Sequence, residues 1–491
     1  MTIRKLRFAS ITYLLLPNFI FFYSWTQFPI NIAGILLLTY LLREDFKDTS
    51  FCKTDQLGLG DLIVLATTGI ILALISGTAG LCYQTADYWC HNAKFHELFS
   101  QEWPIRIPAA GPVVSYYYGY YLVPALYFKI VGGISETFIF LWTAAGLSLG
   151  IAWLYLVLKR KIWFVLPVIC VGDLPRLINN LFQKLSIRLY EYADFGIEHW
   201  SAFENLFWVP NQVIPSLITA GMLTYIIKNR LKLNLIIFPL SLTFWWAIFP
   251  AFTCSVLVGV LLFKELISNP TQIKWNSIIK NITLPGMIVV SILIFFLSHQ
   301  STPISGLIWN FRTNYQDLIS EYLSNILLNV VIISIAYICL NKSTLNVLNP
   351  FPLVISLLLA IILPSYRIGK VNDFLFRGMI PLLIIMGLYI YYPLTLLTFR
   401  KTWHILRHSY FTLFIILTLS AGSLIAIGRI WRAATNNLLV SYVRDDAPRF
   451  SPIPYDAYDN VYEVLRDRWS QQEANQYLGK ADSLYEKYIA P

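Results

Sequence analysis

Asp87, His91 and Lys94 stand at i, i+4 and i+7 within Asp87-Tyr-Trp-Cys-His-Asn-Ala-Lys-Phe-His-Glu97, directly behind a long apolar run. If residues 86–99 form a helix, the three share one polar face, and Tyr88, Phe95 and Phe99 form the apolar stripe opposite. A carboxylate on such a face, partly withdrawn from water, can take the proton of a hydroxyl that is becoming a nucleophile. His91 joins Asp87 as a catalytic candidate. The same position suits a helix cap, because aspartate binds the first amides of a helix, so both roles stay open for Asp87. Asp87 and His91 are also a possible divalent-cation pair one helical turn apart; His96 lies off that face, and two residues make a weak metal signal.

A second constellation is Arg367-Ile-Gly-Lys370-Val-Asn-Asp373-Phe-Leu-Phe-Arg377. Charges this close to hydrocarbon are costly and usually face a water-filled cavity or a partner. Arginine binds phosphate through two parallel hydrogen bonds, so Arg377 with Arg367 or Lys370 suits a lipid-linked phosphate. The bland alternative is an anchoring role, with Arg377 paired to Asp373 one turn earlier. A third group, Glu198, His199, Trp208, Asn211 and Gln212, could contact sugar hydroxyls, a tryptophan face stacking on the ring; its alternative is an aromatic belt beside a solvated acidic loop that includes Glu191, Asp194 and Glu204. Trp103 and Asp173 complete the sugar or acceptor candidates, although Asp173 with Arg176 also reads as an ion pair or a helix terminus.

These residues must be held by membrane spans. The 491 residues are 57% hydrophobic, 16% aromatic and only 13% charged, with a mean hydropathy of +0.59, whereas soluble domains carry about 25% charge. Several apolar runs reach the roughly 17 to 25 residues that cross a bilayer as helix, and no alternating barrel pattern occurs. The expected fold is an all-α polytopic membrane protein with about thirteen transmembrane helices. The net charge of +10 sits in short clusters between spans, which argues for topology rather than a nucleic-acid partner. The six cysteines show no CxxC pair or zinc spacing; only Cys82 and Cys90 could meet.

Short basic loops mark the cytoplasmic side. Lys159-Arg-Lys161, Lys228, Arg230 and Lys232, Lys264, Lys274 and Lys280, and Arg400, Lys401 and Arg407 all fall inside if the N-terminus is cytoplasmic and residues 113–132, with Ser115-Tyr-Tyr-Tyr-Gly-Tyr-Tyr121, lie in the interface. The five tyrosines then sit at headgroup level. The chain divides into an N-terminal membrane hairpin (1–60), a transmembrane domain (61–431) whose first external loop (83–135) carries juxtamembrane helices, and an external helical cap (432–491) too short to fold without support. The polar candidates gather at the outer face, and the C-terminus is extracytoplasmic.

An outward span, an acidic residue opening the first external loop, Trp103-Pro104, Gly111-Pro-Val-Val-Ser-Tyr-Tyr117, Lys129-Ile-Val-Gly-Gly133 and a returning span together resemble the GT-C class. These are polytopic glycosyltransferases using polyprenyl-phosphate-linked sugars, among them lipid A aminoarabinose transferases and protein O-mannosyltransferases. The resemblance is clearest over residues 61–161. It implies a bacterial plasma-membrane enzyme that moves a sugar from a polyprenyl-phosphate donor to a lipid, glycan or protein acceptor, with Asp87 in the position of the catalytic acid. The family's usual acidic pair is absent here, because Tyr88 follows Asp87, and an extra hairpin precedes the span that would be the family's first. A flippase or exporter of a lipid-linked glycan is the main rival, and an O-antigen polymerase or ligase the third reading.

Overall fold

The computed structural model describes residues 1–51, 56–190, 196–268, 275–344, 348–397, 410–443 and 450–491. Cys52, Glu191, Asp194, Lys274, Arg400, Lys401 and Arg407 lie outside the described residues. Helices dominate. Among the described residues the one sheet is a pair of three-residue strands, Ser305–Leu307 and Tyr366–Ile368, antiparallel with Gly306 opposite Arg367.

Among the described residues, seven helices are long and apolar enough to cross a membrane: Ile3–Trp25, Glu136–Val157, Ile248–Ser268, Trp275–Phe296, Tyr315–Leu340, Asp373–Leu396 and Ile416–Thr435. Ile162–Ile169 and Leu174–Lys184 form an eighth if a pair bent by 67° counts as one span. The bend falls at Val171-Gly172-Asp173, ahead of Pro175, where apolar continuity in the sequence hides a change of direction. Leu59–Ile75, Leu233–Thr243 and Phe351–Ser365 are apolar but shorter. Seventeen residues at 1.5 Å rise cover about 25 Å, less than a typical hydrocarbon core. The helical architecture is as expected, and the described residues account for seven or eight helices of full length.

Asp373–Leu396 is the axis of the bundle. Its most apolar window is 94% buried, against 22% for Trp275–Phe296 and for Ile416–Thr435, which line the periphery. Proline in a helix interior frees carbonyls that an apolar surrounding cannot hydrate. Around Pro381 the Thr253 hydroxyl donates to the Gly378 carbonyl at 2.6 Å and the Asn205 amide to the Phe376 carbonyl at 3.3 Å. The helix stays continuous past the proline.

Gly119–Val131 is a 13-residue helix, and Tyr118, Tyr120 and Tyr121 are buried in protein. Each hydroxyl has an internal partner: Tyr477 and Thr143, both at 2.5 Å, for Tyr118 and Tyr120, and His91 for Tyr121. Gly119 permits this depth, since a Cβ there would meet the Trp245 carbonyl at 2.8 Å.

The C-terminal segment forms three short helices, Val461–Arg468, Gln471–Tyr477 and Leu484–Tyr488. Asn460, Ser470 and Ser483 cap them by accepting from the amides of Glu463, Glu473 and Glu486, the Asn/Ser-x-x-Glu signature of a helix start. They pack on the first loop and the N-terminal helix. Arg106 pairs with Glu486 at 2.6 Å, Tyr485 donates to the Trp25 carbonyl at 2.5 Å, and the Ser115 amide donates to the Tyr477 carbonyl at 3.0 Å. Cys82 and Cys90 are free thiols.

Candidate active site

The helix Tyr88–Ser100 carries the first constellation. Its entry is pinned on two sides. Thr85 donates to the Phe207 carbonyl at 2.9 Å, Tyr88 to the Ser76 carbonyl at 2.8 Å, and the Gln84 side chain accepts from the Ile453 amide at 2.8 Å. Asp87 holds the N-cap position, yet its side chain caps nothing. Among the described residues its carboxylate has no hydrogen-bond partner, which removes the capping role left open above.

His91 and Lys94 do share the face of Asp87, but they point into protein. A carbonyl only accepts, so His91 Nε2 carries the proton and donates to Trp208 O at 2.7 Å; Nδ1 then accepts from the Tyr121 hydroxyl at 2.5 Å. Burial, with Lys94 adding to the effect, pushes the imidazole down to about 3. His91 is a neutral brace between the loop and the Ala202–Trp208 helix, and its use as a proton carrier or metal ligand would require breaking one of these bonds. Among the described residues no three His, Cys, Asp or Glu side chains gather as a metal set.

Lys94 is 1% exposed. Its ammonium sits 4.1, 5.0 and 4.9 Å from the ring centroids of Tyr116, Tyr117 and Tyr121, and its one hydrogen bond, to the Tyr121 hydroxyl, is 3.5 Å long. Among the described residues it has no carboxylate partner. Burial lowers it to about 7. Three aromatic faces favour the cation, burial leaves it only partly protonated at neutral pH, and an anion bound beside it would draw it to the charged form.

Arg377 closes the cluster from the axial helix. It donates to the Tyr117 hydroxyl at 2.9 Å and pairs with Asp373 at 2.9 Å, one turn earlier. Asp373 itself favours the first helical turn, where acidic groups meet the positive end of the dipole. Burial raises the Asp87 carboxyl to about 6; Arg377 opposes the rise, Asp373 adds to it, and Lys94 opposes it. Asp87, Arg377 and Lys94, brought from two distant parts of the chain, therefore interact electrostatically.

The remaining candidates are placed elsewhere or are already engaged. Arg367 donates from Nε to the Gly369 carbonyl at 3.0 Å and from Nη2 to the Lys370 carbonyl, bracing the turn that Gly369 makes at φ +88°. Its donors hold backbone, a poor starting point for gripping phosphate. Lys370 has no hydrogen bond or ion pair among the described residues and interacts at longer range with Glu473. Glu198 accepts from Tyr190 at 2.6 Å, and His199 Nδ1 accepts at 3.2 Å from Asn329 on the Tyr315–Leu340 helix. Asp173 accepts from the Ser201 amide at 3.0 Å and lies 3.6 Å from Arg176, the ion-pair alternative. The Trp103 indole donates to Leu98 O at 2.9 Å and its ring meets Trp25 and Lys129. Trp208 donates to Glu204 at 3.2 Å. One turn on, both amide atoms of Asn211 and Oε1 of Gln212 are buried without a protein partner.

Lys94 was visible as part of the polar face, but its cage was not, because the tyrosines look interfacial in isolation. Glu97 is among the polar residues expected on the outer face but not among the site candidates. It is fully buried and accepts from the Val461 amide at 3.0 Å and the Tyr477 hydroxyl at 2.6 Å, joining this helix to the C-terminal segment. Its burial has no local signal in the sequence, since Lys94 stands three residues before it at the spacing of an ordinary surface ion pair. Comparisons with protein-family models, curated proteins and solved structures find no match to this chain.

Proposed function

We propose that the protein is an inverting glycosyltransferase of the GT-C type, acting on the extracytoplasmic face of a bacterial plasma membrane with its N-terminus cytoplasmic. The donor is a polyprenyl-phosphate-linked sugar and the acceptor a hydroxyl of a lipid, glycan or protein. Asp87 accepts the proton of the acceptor hydroxyl as its oxygen attacks the anomeric carbon. The bond from that carbon to the phosphate oxygen breaks, and its electron pair leaves on the polyprenyl phosphate. A single displacement inverts the anomeric centre. Arg377 and the caged Lys94 hold the departing phosphate, Lys94 taking the part the sequence offered to Arg367 or Lys370. The unpartnered amides of Asn211 and Gln212 suit hydroxyl-rich ligands, since buried polar groups are stable when hydrogen-bonded.

One observation carries this reading: among the described residues a carboxylate without a hydrogen bond interacts electrostatically with Arg377 and with Lys94, which itself has no ion-pair partner there. A raised carboxyl of about 6 is still ionised at neutral pH and is a better base than an ordinary aspartate. The test is transfer by the full chain in proteoliposomes from a polyprenyl-phosphate-linked sugar. Product formation that disappears with Asp87→Asn supports the assignment. Translocation of the lipid-linked sugar with no new glycosidic bond would replace it with the exporter reading.

A further inference from the structure

A second collection of cations lies away from Asp87. The helices Leu174–Lys184 and Ser423–Thr435 enclose a cleft of about 370 Å³ lined by Arg176, Asn180, Ile425, Gly428, Arg429 and Arg432. Three guanidiniums in one cleft repel one another and need anions. Buried Glu204 supplies part of the compensation: it accepts from Arg429 through both Nε, at 2.9 Å, and Nη2, and it lies 3.2 Å from Arg176. Asp173 is 3.6 Å from Arg176 and also bonds Ser201. Those two carboxylates serve Arg176 and Arg429. The Arg432 side chain has neither hydrogen bond nor ion pair among the described residues; its guanidinium lies 3.7 Å from the centroid of the Tyr83 ring, which orients the group without cancelling its charge. Among the described residues the cleft keeps one uncompensated cation.

Its flank is apolar. Leu181, Leu424, Ile427 and Trp431 are exposed on the same two helices, and Ile416–Thr435 is one of the helices apolar enough to cross a membrane. An anion that carries an acyl chain meets guanidiniums with its head and these side chains with its tail. We propose that this cleft binds the phosphate headgroup of an anionic membrane lipid, with Arg432 as its principal free donor. Arginine suits the task because its planar fork gives a phosphate two parallel hydrogen bonds.

Arg432 is the residue to change, since it is exposed and unpaired, whereas replacing Arg176 or Arg429 would strand Glu204 in the interior. The full chain is purified in detergent, and lipid retention is read by native mass spectrometry with phosphatidylglycerol or phosphatidylcholine of identical acyl chains. The expected result is preferential retention of phosphatidylglycerol, weakened about tenfold by Arg432→Gln and unchanged by Asp87→Asn, which keeps this test separate from that of the transferase reading. Inorganic phosphate at matched concentration displaces little of the lipid. Equal retention of the two lipids, equal retention by Arg432→Gln, or full displacement by inorganic phosphate each overturns the proposal.

Discussion

Replacing Asp87 by asparagine separates catalysis from stability, because the two respond in opposite directions. Burial raises the carboxyl from its ordinary 3.8 to about 6 even after Arg377 and Lys94 have pulled it down. The folded protein therefore holds the ionised form at a disadvantage. At about 1.36 kcal/mol per pH unit the penalty is roughly 3 kcal/mol, and with residual solvent contact about 1 to 3 kcal/mol. The sign follows from proton linkage: between pH 4 and 6 the native state binds more protons than the unfolded one, so wild-type stability falls as pH rises through that window and then levels off. Asparagine carries no such penalty. Asp87→Asn should thus unfold later than wild type at pH 8, by a few degrees in a fluorescence melt in detergent, and the advantage should vanish near pH 4. Transfer in the same preparation should drop by about 10² or more, the span of general-base effects. A variant less stable than wild type at pH 8, or one that retains turnover within a few-fold, would refute the reasoning, since either outcome makes Asp87 a structural residue.

Other substitutions probe the surroundings. Lys94→Met keeps the volume of the tyrosine cage and removes a buried cation, so the fold should persist while donor KM rises about tenfold or more; an unchanged KM would exclude Lys94 from the phosphate site. Arg377→Lys cannot reproduce the bonds to both Tyr117 and Asp373, and transfer should fall by roughly 10² with circular dichroism intact. The pH–rate profile of wild type should decline as pH falls through about 6, where burial has placed Asp87, and a decline beginning only near 4 would contradict that environment. Glu97→Ala removes the acceptor of the Val461 amide; hydrogen exchange across residues 461–477 should accelerate at least tenfold or so, given a loss of about 1 to 3 kcal/mol.

Much of the helical scaffold was legible because hydrophobic periodicity is local. The helix expected over residues 86–99 runs Tyr88–Ser100, and the shared face of Asp87, His91 and Lys94 followed from spacing alone. What spacing could not show is who meets that face. Lys94 sits among Tyr116, Tyr117 and Tyr121, a contact between separate segments that no periodicity encodes, and the same tyrosines read as headgroup residues when their partners are unknown. Arg377 was singled out for its charge at the start of an apolar helix, and its proximity to Asp87 needed the fold. Arg367 looked equivalent in sequence, but Gly369 two residues on turns the chain so that its guanidinium reaches local carbonyls. The 67° bend between Ile162–Ile169 and Leu174–Lys184 was not legible, because Gly172 and Pro175 interrupt a run without lowering its hydropathy. The cap–loop bonds of Glu97 join residues 97 and 461, a separation beyond any local pattern.

The central claim is that Asp87, Arg377 and Lys94 form one site for a phosphate-linked donor. A structure of the full chain in a lipid nanodisc with a bound polyprenyl phosphate tests it most directly. The account predicts the phosphate within about 3 Å of Arg377 and of Lys94, with Asp87 facing the side from which an acceptor would attack. Phosphate bound instead beside Lys370, or only in the Arg432 cleft, with Asp87 remote from it, would contradict the account.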